Sequence, residues 1–285
     1  MGTIKSEVWG DPRPPRVEPP GERVTVTLGG ETLAKRRTSG PAGEADPPPV
    51  YYVPLDAGMP EALARLQLSL PVGAAVRCEG PAGAWPEAMP PLAELVTGAG
   101  FVVDRARATA GRVVVDARRD RTLPDYVGPG MRMLVCGLNP SVVSADLGVG
   151  YAGATNRFWS VTVAAGVVTR PRQPLPALTE EGVGMTDLVK RATPNADSLT
   201  AAEYTAGAER VRRLVAWLKP GVVVFVGLAG WRAAIDRRAA PGPQPTPFGG
   251  AHAYVMPSTS GRNARTTPAE LIAHFQAALA LSAPA

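Results

Sequence analysis

Three short runs of uninterrupted apolar residues, each leading into a turn, constrain the fold of this chain more than any other feature. Met133-Leu134-Val135-Cys136 runs into a Gly/Asn/Pro/Ser turn, Val222–Val226 stops at Gly227, and Ala253–Met256 leads into Pro257 and Ser258. Strands without polar alternation have both faces covered, which is the pattern of a parallel sheet between helices. Helical patterns lie between and after these runs. One is expected from Asn156 to Gly166, with Phe158, Trp159, Val163 and Ala164 as its apolar stripe. Another spans Ala201 to Leu218, with Arg210, Arg212 and Arg213 turned to solvent. Two more cover Ala229–Arg237 and Pro268–Leu281. The expected class is therefore α/β, a three-layer α/β/α arrangement around a mainly parallel central sheet. Ligands of such sheets sit beyond the C-terminal strand ends, so chemistry is expected at the turns after Val135 and Met256.

The first part of the chain reads differently. Residues 1–23 are rich in proline and charge and are expected to form a flexible arm. Val24–Leu28 is a β-type run, 38–49 reads as a loop, and Pro60–Leu70 as a helix with Leu63, Leu66 and Leu70 on one face. After a loop at 81–91 come a helix at Leu92–Gly98 and strands at Phe101–Arg105 and Gly111–Ala117. The stretch from Leu92 through those two strands resembles the C-terminal end of a class I methyltransferase. Nothing in residues 1–90 has the glycine-rich turn that holds the cofactor of such enzymes. Residues 24–120 are thus expected to be a smaller α/β accessory domain of degenerate methyltransferase-like form, ahead of a catalytic domain at 121–285.

Charge separates the same two parts. Residues 1–120 carry 14 basic and 15 acidic residues, and residues 121–285 carry 16 and 10, so the net +5 is concentrated in the second part. That suits attraction to phosphates, and also a merely soluble, arginine-rich surface. Two cysteines, Cys78 and Cys136, and two histidines are too few for a disulfide framework, a four-thiolate zinc site or an iron–sulfur cluster. No metal or cofactor is expected. No apolar run has the length of a membrane span, and Met1–Glu7 lacks a signal-peptide pattern. The expected location is the cytoplasm, or the nucleoid within it.

Taken alone, Gly137-Leu138-Asn139-Pro140-Ser141 is a common strand-to-helix turn in which Asn139 caps the next segment as readily as it does chemistry. It lacks the Gly-Lys-Ser/Thr ending of a phosphate-binding loop. The longer segment is more specific. Gly137 to Gly148, continued by Tyr151-Ala152-Gly153-Ala154-Thr155-Asn156-Arg157-Phe158-Trp159, resembles the first motif of the mismatch-specific uracil/thymine DNA glycosylase family. Gly184-Met185-Thr186 through Thr193 resembles the family's second segment, and Met256-Pro257-Ser258-Thr259-Ser260-Gly261-Arg262-Asn263 its wedge loop. The three motifs occur in the family's order and cover about residues 123–280.

This resemblance implies a uracil-DNA glycosylase-like fold, base flipping out of double-stranded DNA and no cofactor. It gives Asn139 the role of positioning the attacking water and places Thr186 near that water. Gly137, Leu138, Ser141, Ser144, Tyr151 and Asn156 would line the base pocket. Within it, Tyr151 would stack on the base, or else be a core tyrosine, and Ser144 would lie near the base's 5-position. Asn156 would be a pocket residue or a helix cap, and Phe158 and Trp159 core. Ser258, Ser260, Gly261 and Asn263 would meet phosphates. Arg262 would fill the gap left by the flipped nucleotide, or simply contact a phosphate.

Two departures bear on substrate. Ser141 stands where the family usually has glycine, which would narrow the turn or add a hydrogen bond to the base. Gly148-Val149-Gly150 lacks the histidine of the thymine-processing branch. The first motif offers no lysine for a Schiff base, and Lys190, beside Arg191, reads as a surface residue, so no lyase step is expected. The expected activity is release of uracil, preferentially from G·U pairs, by a monomer with DNA as its partner and no membrane. The alternatives are a glycosylase for hypoxanthine or xanthine, and a damage-binding protein with little turnover.

Overall fold

The computed structural model describes residues 24–28, 35–36, 50–53, 56–82, 88–109 and 111–282. The expected arm at 1–23 and loop at 38–49 lie outside these residues, as does the middle of the loop at 81–91.

The described residues form two sheets. The first contains β1 (Val24–Leu28), β2 (Lys35–Arg36), β3 (Val50–Val53), β4 (Ala75–Pro81), β5 (Phe101–Thr109) and β6 (Arg112–Arg119), in the order β2-β3-β1-β4-β6-β5. β1 is parallel to β3 and β4, whereas β6 is antiparallel to both β4 and β5. Helices α1 (Met59–Ser69) and α2 (Leu92–Gly98) pack on it. Leu63, Leu66 and Leu70 of the first segment meet Val76, Leu95, Phe101 and Val115 in one apolar cluster.

The second sheet has the order β10-β11-β9-β7-β8, from β7 (Met133–Gly137), β8 (Val183–Asp187), β9 (Val222–Val226), β10 (Gly242–Pro243) and β11 (His252–Met256). β8, β7, β9 and β11 are parallel, and β10 is an antiparallel edge. Every residue of β7 and β9 is buried. Successive side chains on a strand point to opposite faces, so these runs feed two cores. Met133, Val135, Val222, Val224, Tyr254 and Met256 pack with α4 (Phe158–Ala164) and α8 (Pro268–Ala280). Leu134, Cys136, Val223, Phe225 and Val255 pack on the other face with α6 (Ala201–Leu218) and α7 (Leu228–Ala234). This is the expected three-layer α/β/α arrangement with a mainly parallel sheet. Its long helices start on capping boxes, Thr200 with Glu203 and Thr267 with Glu270, which satisfy amide groups that a helix start leaves unpaired.

Several expectations are corrected. In α4 the buried residues are Phe158, Trp159, Val161 and Thr162, while Val163 and Ala164 face outward. The helix starts at Phe158, and the i, i+3, i+4 face counted from there excludes Val163. Arg210 is not outside: it is 8% exposed. Lys190 is not a surface residue either, its side chain being 10% exposed. Two helices of six residues, α3 (Val142–Leu147) and α5 (Pro174–Thr179), are too short to show a period, and β8 is interrupted by Gly184 and Thr186.

The sheets meet along a polar and apolar seam. Leu68 of α1 enters the core beside Tyr126 and Val149, Gln67 donates to the Thr122 carbonyl at 3.0 Å, and Glu94 of α2 pairs with Arg213 of α6. No described helix is long and apolar enough to cross a membrane.

Candidate active site

The C-terminal ends of β7, β8, β9 and β11 carry the first motif, the second motif, Gly227 and the Ser258 loop on one edge of the sheet. The segment after β8 wraps the turn after β7. Leu188 N–H donates to the Gly137 carbonyl at 3.0 Å, Val189 N–H to that of Leu138 at 3.0 Å, and Thr193 N–H to that of Pro140 at 3.1 Å. Asn139 is held inside this wrap. Its Nδ2 donates to Thr193 Oγ1 at 2.7 Å, to the Arg191 carbonyl at 3.0 Å and to the Pro140 carbonyl at 3.2 Å.

These partners fix which way the amide points. Carbonyl oxygens only accept, so the nitrogen must face Arg191 and Pro140. Thr193 gives its own proton to the Asn195 carbonyl at 2.6 Å and therefore presents a lone pair to Asn139. Both amide protons are thus engaged, and no donor among the described residues reaches Oδ1. An oxygen left this way can accept a hydrogen bond from a water. Thr193→Val is expected to slow turnover about tenfold through lost orientation of that oxygen, with Thr193→Ser restoring most of it. Single-turnover rates beside DNA affinity check this, and equal losses for valine and serine would count against it.

The aromatic part of the site is built on core. Phe158 is buried against Trp159 and Phe275, and the Tyr151 ring lies stacked on Phe158 at 3.9 Å and 13°. Trp159 Nε1 donates to the Gly150 carbonyl at 2.9 Å, which anchors the residue before Tyr151. Tyr151 itself has φ 58°, a left-handed conformation uncommon for an aromatic residue and found preferentially at functional sites. Its hydroxyl is buried without a hydrogen-bond partner among the described residues, and burial pushes its pKa well up. Gly137 is required here, because a Cβ on it would lie 2.2 Å from Asp187 Oδ1 and 3.0 Å from Tyr151 Oη.

Other first-motif residues serve the turn. Ser141 caps α3, its Oγ accepting from Ser144 N–H at 3.1 Å and bonding Ser144 Oγ at 3.0 Å. Ser144 Oγ also accepts from Ala152 N–H at 3.2 Å, so both serine hydroxyls are engaged within the loop. Asn156 Oδ1 accepts from Phe158 N–H at 3.0 Å, in the manner of a cap. Leu138 packs toward the α6–α7 side of the sheet.

The wedge loop is tied to the first motif by Arg157, whose part the sequence reading missed. Its guanidinium donates to the carbonyls of Thr266 at 2.6 Å and Asn263 at 2.7 Å, and its N–H to that of Thr259 at 3.0 Å. Ser258 Oγ accepts from Ser260 N–H, Ser260 Oγ from Arg262 N–H, and Asn263 Nδ2 donates to the Ser258 carbonyl at 2.8 Å. Gly261 lies so close to Thr155 that a Cβ would come within 2.5 Å of its Oγ1. Arg262 projects from this fixed loop, exposed, with no side-chain partner among the described residues.

Thr186 is not among the hydrogen-bond partners of Asn139. Its hydroxyl donates to Asp125 Oδ1 at 2.7 Å and accepts from Arg210 Nη2 at 3.1 Å, so the threonine touching Asn139 is Thr193. Asp125, 3% exposed, also takes Lys190 Nζ at 2.8 Å and Arg210 Nη1. Burial pushes its carboxyl up, but the Arg210 and Lys190 cations and the Thr186 hydroxyl outweigh it and hold it below the ordinary range. The neighbouring Asp187 is the opposite case: burial raises its pKa to about 6. Asp187 stands next to Thr186 in the second motif, and the strand pairing with Gly137 brings it beside Gly137 and Tyr151. Among the described residues no group of three or more His, Cys, Asp or Glu side chains could hold a metal.

A parallel sheet thus gathers at its strand ends a locked asparagine, a tyrosine stacked on core aromatics and a serine-rich loop, the three sequence motifs on one edge. The sequence model of the Uracil DNA glycosylase superfamily matches residues 124–280. The chain belongs to that superfamily, whose members are DNA glycosylases, hydrolases of the N-glycosyl bonds that hold damaged bases in DNA.

Proposed function

We propose that this chain is a monofunctional DNA glycosylase that flips uracil out of duplex DNA, preferentially from G·U pairs, and hydrolyses its N-glycosyl bond to leave an abasic site. The observation that carries this reading is the Asn139 amide, held by both its N–H groups with Oδ1 left to orient a water. An amide is not a base, so the barrier falls through stabilisation of the departing base anion and the cationic sugar rather than by proton removal. Such a site favours good leaving groups.

Flipping is required because the bond is inaccessible inside the stack, and a mispaired base costs less to extrude. Arg262, projecting from the loop that Arg157 pins, would fill the vacated space while Ser258, Ser260, Gly261 and Asn263 meet the flanking phosphates. Tyr151 would be the shelf for the base. Lys190 is committed to Asp125, which supports hydrolysis without a Schiff base and a lyase step.

The test is incubation with labelled duplexes carrying one G·U, A·U, G·T or G·hypoxanthine pair, followed by alkaline cleavage of abasic sites. Scission is expected first at G·U, then A·U, with G·T least. Preference for G·hypoxanthine would shift the reading to deaminated purines. Binding without scission on any duplex would shift it to a damage-binding protein.

A further inference from the structure

The accessory part of the chain reaches the site through α1. Leu63 and Leu66 of this helix belong to the apolar cluster of the first sheet. Ala64, Gln67 and Leu68 form a second buried stripe, spaced i, i+3 and i+4. Two consecutive residues of that stripe meet the two segments that build the site. Leu68 packs with Tyr126 and Val149, and a Cβ on Gly148, at the end of α3, would come within 2.8 Å of its Cδ2. Gln67, wholly buried, donates from Nε2 to the Thr122 carbonyl at 3.0 Å. The buried Thr122 hydroxyl donates in turn to the Lys190 carbonyl.

Lys190 stands in the middle of the wrap around Asn139. Val189, before it, donates to the Leu138 carbonyl, and Arg191, after it, supplies the carbonyl that takes Asn139 Nδ2 at 3.0 Å. Its ammonium bonds Asp125, whose own N–H donates to the Gly98 carbonyl of α2 at 2.8 Å. Lys190 is therefore gripped at main chain and side chain by the segment 122–125, which is itself tied to α1 and α2. Gln67 Oε1 is buried with no hydrogen-bond partner among the described residues. Burying an unpaired amide oxygen costs stability relative to an apolar side chain, so packing alone does not account for a glutamine here.

We propose that Gln67 is a positioning residue for base release. It fixes Thr122, whose hydroxyl sets the Lys190–Arg191 peptide and with it the Arg191 carbonyl that orients Asn139. The accessory domain is then a working part of the active site, although Gln67 and Thr122 both lie ahead of the superfamily domain that begins at residue 124. This rests on the reading of Asn139 as the residue that orients the water, and names what holds that residue from outside its own domain. The wedge loop is pinned separately by Arg157, so losing the Gln67 contact should slow release and spare DNA affinity.

The experiment uses the full chain with Gln67→Met, Thr122→Val and Thr122→Ser. Amide hydrogen exchange reads the wrap in the free protein. Leu188, Val189 and Thr193, whose N–H groups bond the first motif, are expected to exchange about tenfold faster, relative to the β9 amides, in the first two variants. Single-turnover release from a G·U duplex is expected to fall about tenfold, with affinity for an uncleavable 2′-fluorouridine duplex near wild type. Thr122→Ser keeps the hydroxyl and should recover most of both. Thr122→Val leaves the Gln67 bond to the main chain intact, and so tests the relay should Gln67→Met fail to fold. Combination with Asn139→Ala separates positioning from general softening: in that background Gln67→Met should cost no further rate, since the group it orients is gone.

Three results would overturn the proposal: unchanged protection of the wrap relative to β9, a wild-type rate in a loosened wrap, or an equal loss of rate with and without Asn139. Unchanged protection beside Asn139-dependent release sinks the role of Gln67 alone. Faster exchange in variants of a protein that releases no base from any duplex sinks the glycosylase and leaves the hold of Gln67 on the wrap supported.

Discussion

Asn139→Ala is expected to slow base release by at least about a hundredfold, the scale set by losing the orientation of a reacting group, while affinity for the uncleaved duplex stays close to wild type. The hydrogen-bond partners of the side chain, Thr193, Arg191 and Pro140, all lie in the turn and in the segment that wraps it. Its removal therefore leaves sheet and helices standing. Asn139→Asp separates two kinds of chemistry. If the residue served as a general base, a carboxylate would be as good or better. The position instead surrounds Nδ2 with two carbonyl oxygens and a hydroxyl whose proton is already given to Asn195. A carboxylate there would set oxygen against oxygen, so the aspartate variant is expected to be nearly as slow as alanine near neutral pH. Single-turnover rates on a G·U duplex decide it. An aspartate variant at or above the wild-type rate would mean that proton removal, not water placement, is what this position supplies.

The sequence made the frame of this site visible because the frame is written in local signals. β7 and β9 are continuous apolar runs, as is β11 from Ala253 onward, and α2 and α6 have the limits expected of them. The contents of the site depended on pairings between distant segments. Thr193 meets Asn139 across 54 positions, and Arg157 reaches Asn263 across 106. Nothing in either neighbourhood announces these contacts. The placement of Thr186 and Thr193 shows the same limit. Both lie in the second motif, and only the course of the chain after β8 turns one toward Asn139 and the other toward Asp125. Arg210 was misread because its neighbours on α6, Arg212 and Arg213, do sit on the outer part of the helix. A buried arginine differs from an exposed one only in having a distant acid to meet, here Asp125, 85 positions earlier.

That acid should be the most costly single residue to remove outside the apolar core. Asp125→Ala is expected to destabilise the protein by roughly 3–5 kcal/mol, because it leaves buried cations without their counter-charge. Arg210 and Lys190 each have side chains about 10% exposed and point at the two oxygens of Asp125. The loss would be felt on three elements at once. Thr186 on β8 loses its acceptor, Lys190 in the loop wrapping Asn139 loses its anchor, and α2 loses a neighbour packed so closely that a Cβ on Gly98 would come within 2.6 Å of Asp125 Oδ2. Arg210→Met should cost less, since Lys190 still pairs with the remaining carboxylate and the methionine stem fills much of the same space. The pH dependence follows from the depressed pKa of Asp125. A group held lower in the folded state contributes stability above its unfolded pKa and loses it as pH falls through the folded one. The wild-type advantage over Asp125→Ala should therefore be full at neutral pH and shrink only in strong acid. Urea denaturation at pH 7 and at decreasing pH measures it. Equal midpoints for the two proteins at pH 7 would show that the ion cluster merely breaks even, and that the seam between the sheets is held by Leu68, Gln67 and the apolar contacts around them.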